Sequence, residues 1–218
     1  MPPGAKFTSL SGQMVVPPLP RAATYYLWPG LQPTDGSGVY QNVLDGRKGQ
    51  WWFGSGWCCS NPNLPWGGGF NTVAGEVNTF NNSLNGDNSG WTSTTVHNGS
   101  AGSSSVNAFP LGSKSFNQAI FAVELCVSPS CALFPDYPRY DVTWDFGPLT
   151  FKNVKIWTGT VTYGVGQVAT GSPRQSWCTN APENYNKATK YTVTGAKASV
   201  SGTTVTCTID SIVLQGPA

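Results

Sequence analysis

Short stretches rich in Val, Thr, Tyr and Phe recur along this chain of 218 residues, and Gly, Pro and Asn separate them. Apolar and polar residues alternate within them, with almost no trace of the 3.6-residue period of a helix. Ten of these stretches are predicted strands: 12–16, 24–31, 38–46, 50–58, 75–84, 90–98, 119–127, 140–157, 190–202 and 203–214. With one apolar face per strand and short turns, we expect an all-β fold. It should be a two-sheet antiparallel β-sandwich of the concanavalin-like jelly-roll type.

The whole chain, residues 1–218, is expected to form one β-sandwich domain. Its length suits a single large all-β domain, and no internal repeat divides it. The segment 99–118 is rich in Ser, Gly and Asn and predicts a long surface loop or a sheet edge. Region 164–189 predicts irregular structure that Cys178 holds in place.

Charged side chains are scarce, since Asp, Glu, Lys and Arg make up 10% of the chain, against roughly 25% in an average globular domain. Gly, Ser, Thr and Asn fill the surface instead, as in secreted wall-type proteins, and sequons at Asn81 and Asn98 agree with glycosylation. A net charge of +2 with scattered Lys and Arg gives no electrostatic footprint for nucleic acid, and we expect no such partner. No apolar run approaches the ~20 residues of a membrane-spanning helix. We therefore expect a secreted, monomeric glycoprotein without a membrane partner.

Six cysteines, an even number, indicate an oxidising compartment. Cys126 and Cys131 flank the turn-forming insert "VSPS" and are expected to close a small hairpin. Cys178 and Cys207 are expected to join strands in the last third of the chain.

The adjacent Cys58 and Cys59 leave three possibilities open: a vicinal disulfide, two free thiols, or another pairing. Zinc is a poor fit, because the chain has one histidine and no second CxxC-type pair. We expect neither a metal nor a cofactor.

Two polar residues lie within apolar strand sequences. Glu124 is the one carboxylate in "QAIFAVELCV", where burial without a partner would cost several kcal/mol or raise its pKa. Gln41 lies between Val39 and Val43 on the same strand face. A glutamate can act as general base on water, and a glutamine amide can donate to a developing oxyanion. The alternative is that both are merely buried hydrogen-bonding residues.

Aromatic residues form a second signal. Trp51, Trp52, Phe53, Trp57 and Trp66 fall within sixteen residues. Planar rings exposed on a concave sheet bind sugars or extended peptides by stacking and apolar contact. The alternative is a core strand, in which every second ring faces inward.

Other chemistries find little support. His97 is the only histidine, lies in the polar stretch "TTVHNGS", and has no G-x-S-x-G motif to accompany it. "WGGGF" lacks the following Lys-Ser/Thr of a phosphate-binding loop.

An ordered series of motifs resembles the glutamic peptidases, or eqolisins, over residues 11–157. "SGQMVVPPLP" and "TYYLWPGL" are similar to the family's "SGxFTVP" and "AAWVGIDG" strands. "GVYQNVLDG" resembles "ILQTGVDF", "WWFGSGWCC" takes the place of "WYEWYP", and "VAGEVNTF" that of "ISAGDxI". "FAVELC" resembles "AEWIVE", and "FGPLTFKNVKI" resembles "FGTVTFTNA".

The resemblance implies a secreted, acid-acting endopeptidase on a β-sandwich, with a polypeptide as substrate. It places Gln41 on the catalytic glutamine and Glu124 on the catalytic glutamate. The substrate-binding face would carry five tryptophans: Trp28, Trp51, Trp52, Trp57 and Trp66. Two family carboxylates have no counterpart, one in the aromatic segment and one where Val127 stands.

A different function is compatible with the same scaffold. The protein could be a non-catalytic, carbohydrate-binding (lectin-like) or polysaccharide-active secreted protein whose Trp51–Trp66 cluster stacks on glycans. The two hypotheses differ in geometry. A peptidase requires the side chains of Gln41 and Glu124 to meet in an open cleft, whereas a binding protein does not.

Overall fold

The computed structural model describes residues 6–58, 62–98, 100–125, 143–158, 176–179, 189–202 and 204–216. These residues form strands and one four-residue helix. The strands are β1 (Phe7–Val15), β2 (Tyr25–Pro33), β3 (Val39–Asp45), β4 (Trp51–Cys58), β5 (Gly69–Thr72), β6 (Val77–Leu84), β7 (Trp91–His97), β8 (Ser100–Phe109), β9 (Phe116–Leu125), β10 (Leu149–Thr158), β11 (Lys190–Thr194), β12 (Lys197–Ser201) and β13 (Thr204–Gly216), and the helix is α1 (Ser176–Thr179).

The strands pair into two antiparallel sheets. An eight-stranded sheet has the order β11-β13-β10-β1-β6-β7-β8, with β12 also paired to β13. A five-stranded sheet has the order β5-β4-β3-β2-β9. This arrangement confirms the predicted two-sheet antiparallel β-sandwich.

The core lies between the sheets and takes every second side chain of most strands. The eight-stranded sheet contributes Leu10, Met14, Phe80, Trp91 and Phe151, and the five-stranded sheet contributes Leu27, Leu31, Tyr40, Leu44 and Phe53. Rings from the two sheets meet directly: the centroids of Tyr40 and Trp91 are 5.8 Å apart, edge to face. Burial of these large apolar side chains is the main stabilising contribution.

A polar cluster crosses the same interior. The Asn42 amide donates to the Ser93 hydroxyl at 2.8 Å, and the Asn82 amide donates to the Asn42 carbonyl oxygen at 2.7 Å. All three side chains are fully buried. Because β3 belongs to one sheet and β6 and β7 to the other, these bonds fix the position of one sheet on the other.

The disulfide between Cys178 and Cys207 is the pairing expected from the sequence, with the Cα atoms 5.5 Å apart. It joins α1 to β13. Cys58 is also disulfide-bonded, so free thiols at this position are excluded. Cys59, Cys126 and Cys131 lie outside the described residues.

Within the segment 99–118, β8 ends the eight-stranded sheet as described and the first residues of β9 lie at the end of the five-stranded sheet, so the segment contributes sheet edges rather than only a loop. The short strand β5 was not predicted. Its sequence "GFNT" follows two further glycines, which hid the strand from a pattern based on β-propensity.

Candidate functional site

The five-stranded sheet has an inner face in the core and an outer face turned away from it. Leu27 and Leu31 of β2 are in the core, so the alternate residues of β2 and their cross-strand partners form the outer face. The outer face carries Tyr26, Trp28 and Gly30 of β2, Gln41, Val43 and Asp45 of β3, Trp52, Gly54 and Gly56 of β4, and Ile120, Ala122 and Glu124 of β9.

Gln41 lies on this face between two glycines, since Gly30 is opposite it on β2 and Gly56 on β4. Both glycines leave room for an indole against the backbone. A Cβ at Gly30 would be 3.1 Å from the Trp28 ring, and one at Gly56 would overlap the Trp66 ring. Gln41 is therefore flanked by two indoles and is only 4% exposed, and its Oε1 has no hydrogen-bond partner among the described residues.

Two accessible indoles lie along β4 on the outer face. A Cβ at Gly54 or Gly69 would overlap the ring of Trp52, which is half-buried, and Trp66 over Gly56 is 48% exposed. Alternate residues of a strand are about 7 Å apart, so these rings lie next to each other along the strand. We call Trp52 and Trp66 the tryptophan platform.

The glycines beneath the platform were missed by sequence reasoning. Glycine inside a strand weakens it and often marks a close approach of another group to the backbone. The alternation of glycine with aromatic residues in "WFGSGW" was therefore an available signal for rings packed on the sheet.

Trp51 and Trp57 do not belong to this face, and their predicted role in substrate binding is wrong. They are 1% and 3% exposed and lie in the core cluster. The Trp51 indole donates to the Pro17 carbonyl at 2.8 Å, and Trp57 packs against Phe116 at 6.2 Å. Strand alternation places Trp52 outward, which forces its neighbour Trp51 inward. Trp28 is on the outer face but is buried.

Gln41 and Glu124 share the outer face, but the register keeps them apart. Gly30 pairs with Gln41 on one side and with Ile120 on the other, whereas Glu124 pairs with Tyr26. Glu124 is thus displaced from Gln41 by about 13 Å along the strands and about 10 Å across them. The expectation that the two side chains meet is wrong. The Trp28 indole lies between their rows, and an apolar residue, Ile120, stands level with Gln41.

The apolar sequence around Glu124 suggested a buried carboxylate. In the structure its side chain is exposed. Surrounding protein atoms nevertheless reduce its hydration, and this desolvation raises its pKa above the usual value. The nearby Trp28 indole N–H lowers the pKa of Glu124, but by less than desolvation raises it. This N–H forms no hydrogen bond with the described residues.

We expect Glu124→Gln to leave thermal stability unchanged at pH 3 and equal or slightly higher at pH 7. A raised pKa in the folded state means that the protonated form favours folding, and this contribution is lost as the pH rises through that pKa. The glutamine variant cannot ionise, so it keeps this stabilising contribution at both pH values. Melting temperatures of both proteins at the two pH values test this, and a variant clearly less stable at pH 7 would contradict it.

Asp45 is the outer-face carboxylate in the same row as Glu124, with Tyr26 between them. It is held by Arg47 at 2.6 Å, and the guanidinium also lies 5.2 Å from the centre of the Tyr26 ring. A glycosidase needs two carboxyl groups that are free to act on opposite sides of a sugar. Asp45, paired with arginine, does not supply the second one.

His97 forms part of a different cluster. Its Nε2 is 2.7 Å from Glu76, which also accepts hydrogen bonds from the Thr72 hydroxyl and the Val73 N–H. These bonds, that of Thr72 first, lower the pKa of Glu76 to about 2. Thr72 bonds to the carboxylate and not to the imidazole, so the cluster lacks the nucleophile–base contact of a triad.

No group of three or more His, Cys, Asp or Glu side chains in the described residues is arranged to hold a metal ion. Within the same residues, no helix is long and apolar enough to cross a membrane.

The fold is the β-sandwich of the glutamic peptidases, as the sequence resemblance implied. Across 94% of both chains it is similar to scytalido-glutamic peptidase solved with a peptide-based transition state analog, with a TM-score of 0.50 and 16% identity. A second structure of that peptidase, with a transition state analog inhibitor, gives a TM-score of 0.49 at the same identity and coverage. No protein-family model and no curated protein matches the chain. At this identity the likeness establishes the fold and leaves the activity to be argued from the site.

Proposed function

We propose that the protein is a secreted, non-catalytic carbohydrate-binding protein built on the glutamic-peptidase sandwich. Its ligand-binding surface is the outer face of the five-stranded sheet around the tryptophan platform. The observation that supports this most is that Trp52 and Trp66 lie over glycines of the sheet with part of each indole open to solvent. Flat aromatic surfaces of this kind suit the apolar faces of sugar rings.

Polar groups beside the platform suit the hydroxyl groups of a glycan. Asn71, paired with Trp52 across β4 and β5, is exposed and presents an amide next to the indole. Platform and amide are both uncharged. A neutral polymer with apolar ring faces and many hydroxyl groups fits this chemistry better than a charged one.

Secretion is part of the proposal and has separate support. Cysteines within the described residues are all oxidised, which favours an oxidising compartment. The sequon asparagines Asn81 and Asn98 are both exposed and would be accessible to glycosylation.

Peptide hydrolysis is the second candidate, and the observation in its favour is the fold shared with a peptidase that was solved with a peptide-based analog. The amide oxygen of Gln41 also has no hydrogen-bond partner among the described residues and could accept a hydrogen bond from a water molecule. Against it stands the separation of Gln41 from Glu124, because one water molecule has to be within hydrogen-bond reach of both groups.

Trp66→Ala is expected to weaken oligosaccharide binding about tenfold, since a stacked ring contributes roughly 0.5–1.5 kcal/mol beyond its buried area. Trp52→Ala should have a similar effect. Affinities for chitohexaose, laminarihexaose, xylohexaose and cellohexaose, measured by calorimetry, test this. Trp157→Ala is the matched control, since that tryptophan is 41% exposed on the eight-stranded sheet.

Two results would contradict the proposal. In the first, the wild type binds none of these oligosaccharides but cleaves denatured casein at some pH between 2 and 7, which identifies a peptidase. In the second, Trp157→Ala weakens binding as much as Trp66→Ala does, which places the ligand elsewhere.

A further inference from the structure

We infer that Asn107 is the positioning residue of the binding face: it fixes the loop that carries Trp66 and so sets the indole over Gly56. The expected effect of Asn107 on ligand binding rests on the proposed function. Its effect on the position of Trp66 does not depend on any ligand. Asn107 lies on β8, at the edge of the other sheet, and belongs to neither the outer face nor the apolar core cluster.

The Asn107 side chain joins three separate parts of the chain. Its Oδ1 accepts a hydrogen bond from the Gly68 N–H at 2.6 Å. Its Nδ2 lies 3.0 Å from the Ser55 hydroxyl of β4, 3.0 Å from the Ser105 hydroxyl of β8, and 3.2 Å from the Gly68 carbonyl oxygen. A single amide thus binds both backbone polar groups of one loop residue, Gly68, and ties that loop to both sheets.

The loop fits this clamp because the two residues at the contact, Gly67 and Gly68, have no side chains. A Cβ at Gly67 would overlap the Asn107 side chain, and one at Gly68 would be 2.9 Å from the Ser105 hydroxyl oxygen. The Gly67 N–H also donates to the Ser55 carbonyl at 2.9 Å. The backbone immediately after Trp66 is therefore held between β4 and β8.

Trp66 depends on this anchorage because its own ring is 48% exposed and gains only part of the burial that would fix an indole by packing. The position of its Cα depends on the backbone that continues into Gly67 and Gly68, which these hydrogen bonds hold. Loss of the Asn107 bonds should therefore release the Trp66 ring, while rings within the core keep their places.

The first measurement needs no ligand. Incorporation of 5-fluorotryptophan labels all nine tryptophans, and Trp66→Phe, Trp51→Phe and Trp91→Phe assign three of the fluorine resonances. We expect Asn107→Ala to shift and broaden the Trp66 resonance and to leave those of Trp51 and Trp91 in place.

Two further variants calibrate the result. Val106→Ala, a neighbouring truncation on β8 at an exposed position, should change none of the three resonances. Asn107→Asp should shift the Trp66 resonance less than Asn107→Ala does, because aspartate keeps an acceptor for the Gly68 N–H. It should still shift the resonance, because a carboxylate then stands against the Gly68 carbonyl oxygen.

The second measurement is oligosaccharide affinity. Asn107→Ala should reduce it about as much as Trp66→Ala, and the double variant should lose no more than Trp66→Ala alone, because both changes remove the same contact. Additive losses would mean that Asn107 acts independently of Trp66.

The inference is overturned if the Trp66 resonance of Asn107→Ala matches the wild type, or if the core resonances move with it, which would indicate a general structural role. If Asn107→Ala does not fold, Asn107→Asp decides by the same criterion. A Trp66 resonance that moves in a protein whose wild type binds no oligosaccharide supports the positioning role and refutes the proposed function instead.

Discussion

Replacing Trp51 by alanine is expected to lower the free energy of unfolding by about 3–5 kcal/mol, the usual range for removing a large aromatic side chain from a core. Trp51 is 1% exposed, packs against Tyr25 at 6.1 Å, and donates its indole N–H to the Pro17 carbonyl. The substitution leaves a large cavity and an unpaired buried carbonyl oxygen. Urea denaturation at neutral pH measures the loss.

Trp52→Ala is the matched control for this substitution, since the two tryptophans are adjacent on β4 and face opposite ways. We expect it to change the free energy of unfolding much less and to act mainly on oligosaccharide affinity. If the two alanine variants were equally stable, the assignment of inner and outer faces on β4 would be incorrect.

A loss of about 2–4 kcal/mol is expected for Asn42→Ala, because it removes two hydrogen bonds and leaves buried polar partners without them. Those partners are Asn82 and Ser93, both fully buried in the opposite sheet. Thermal and urea unfolding report the change. Asn81→Ala, at an exposed position of β6, should stay within about 0.5 kcal/mol of the wild type when both proteins are produced without glycans.

A double-mutant cycle tests the network itself. Asn42→Ala and Ser93→Ala should together destabilise the protein by less than the sum of the single changes, since each one already breaks their shared bond. Strict additivity would show that the two residues do not interact in solution.

A fold shared with a peptidase does not by itself establish shared chemistry. Glu124 lies at an exposed position four residues along β9 from the row of Gln41, and Ile120 stands in that row. Catalysis on water requires a base within hydrogen-bond reach, and β9 as described places an isoleucine, not a carboxylate, level with Gln41. On the other side of Gln41, Gly54 and Gly56 of β4 make space for indoles. Both features are the grounds for proposing a binding function rather than hydrolysis.

The sequence by itself determined the class of fold. Alternating apolar residues between Gly, Pro and Asn predicted strands, and strands with one apolar face each can bury those faces only by packing sheet on sheet. The pairing of Cys178 with Cys207 could also be predicted, because the intervening chain can turn back on itself. The resemblance to glutamic peptidases identified the same fold from ordered motifs.

Only the tertiary structure decided which residues share the outer face of the five-stranded sheet, where the binding site is proposed. Alternation states that Trp51 and Trp57 point the opposite way from Trp52, but it does not state which set faces the core. Likewise, Gln41 and Glu124 were correctly predicted to belong to strands, yet their distance depends on the register of β2 with both of its neighbours. Register is set by turns and by packing between distant segments. A local pattern with a period of two residues contains no information about it.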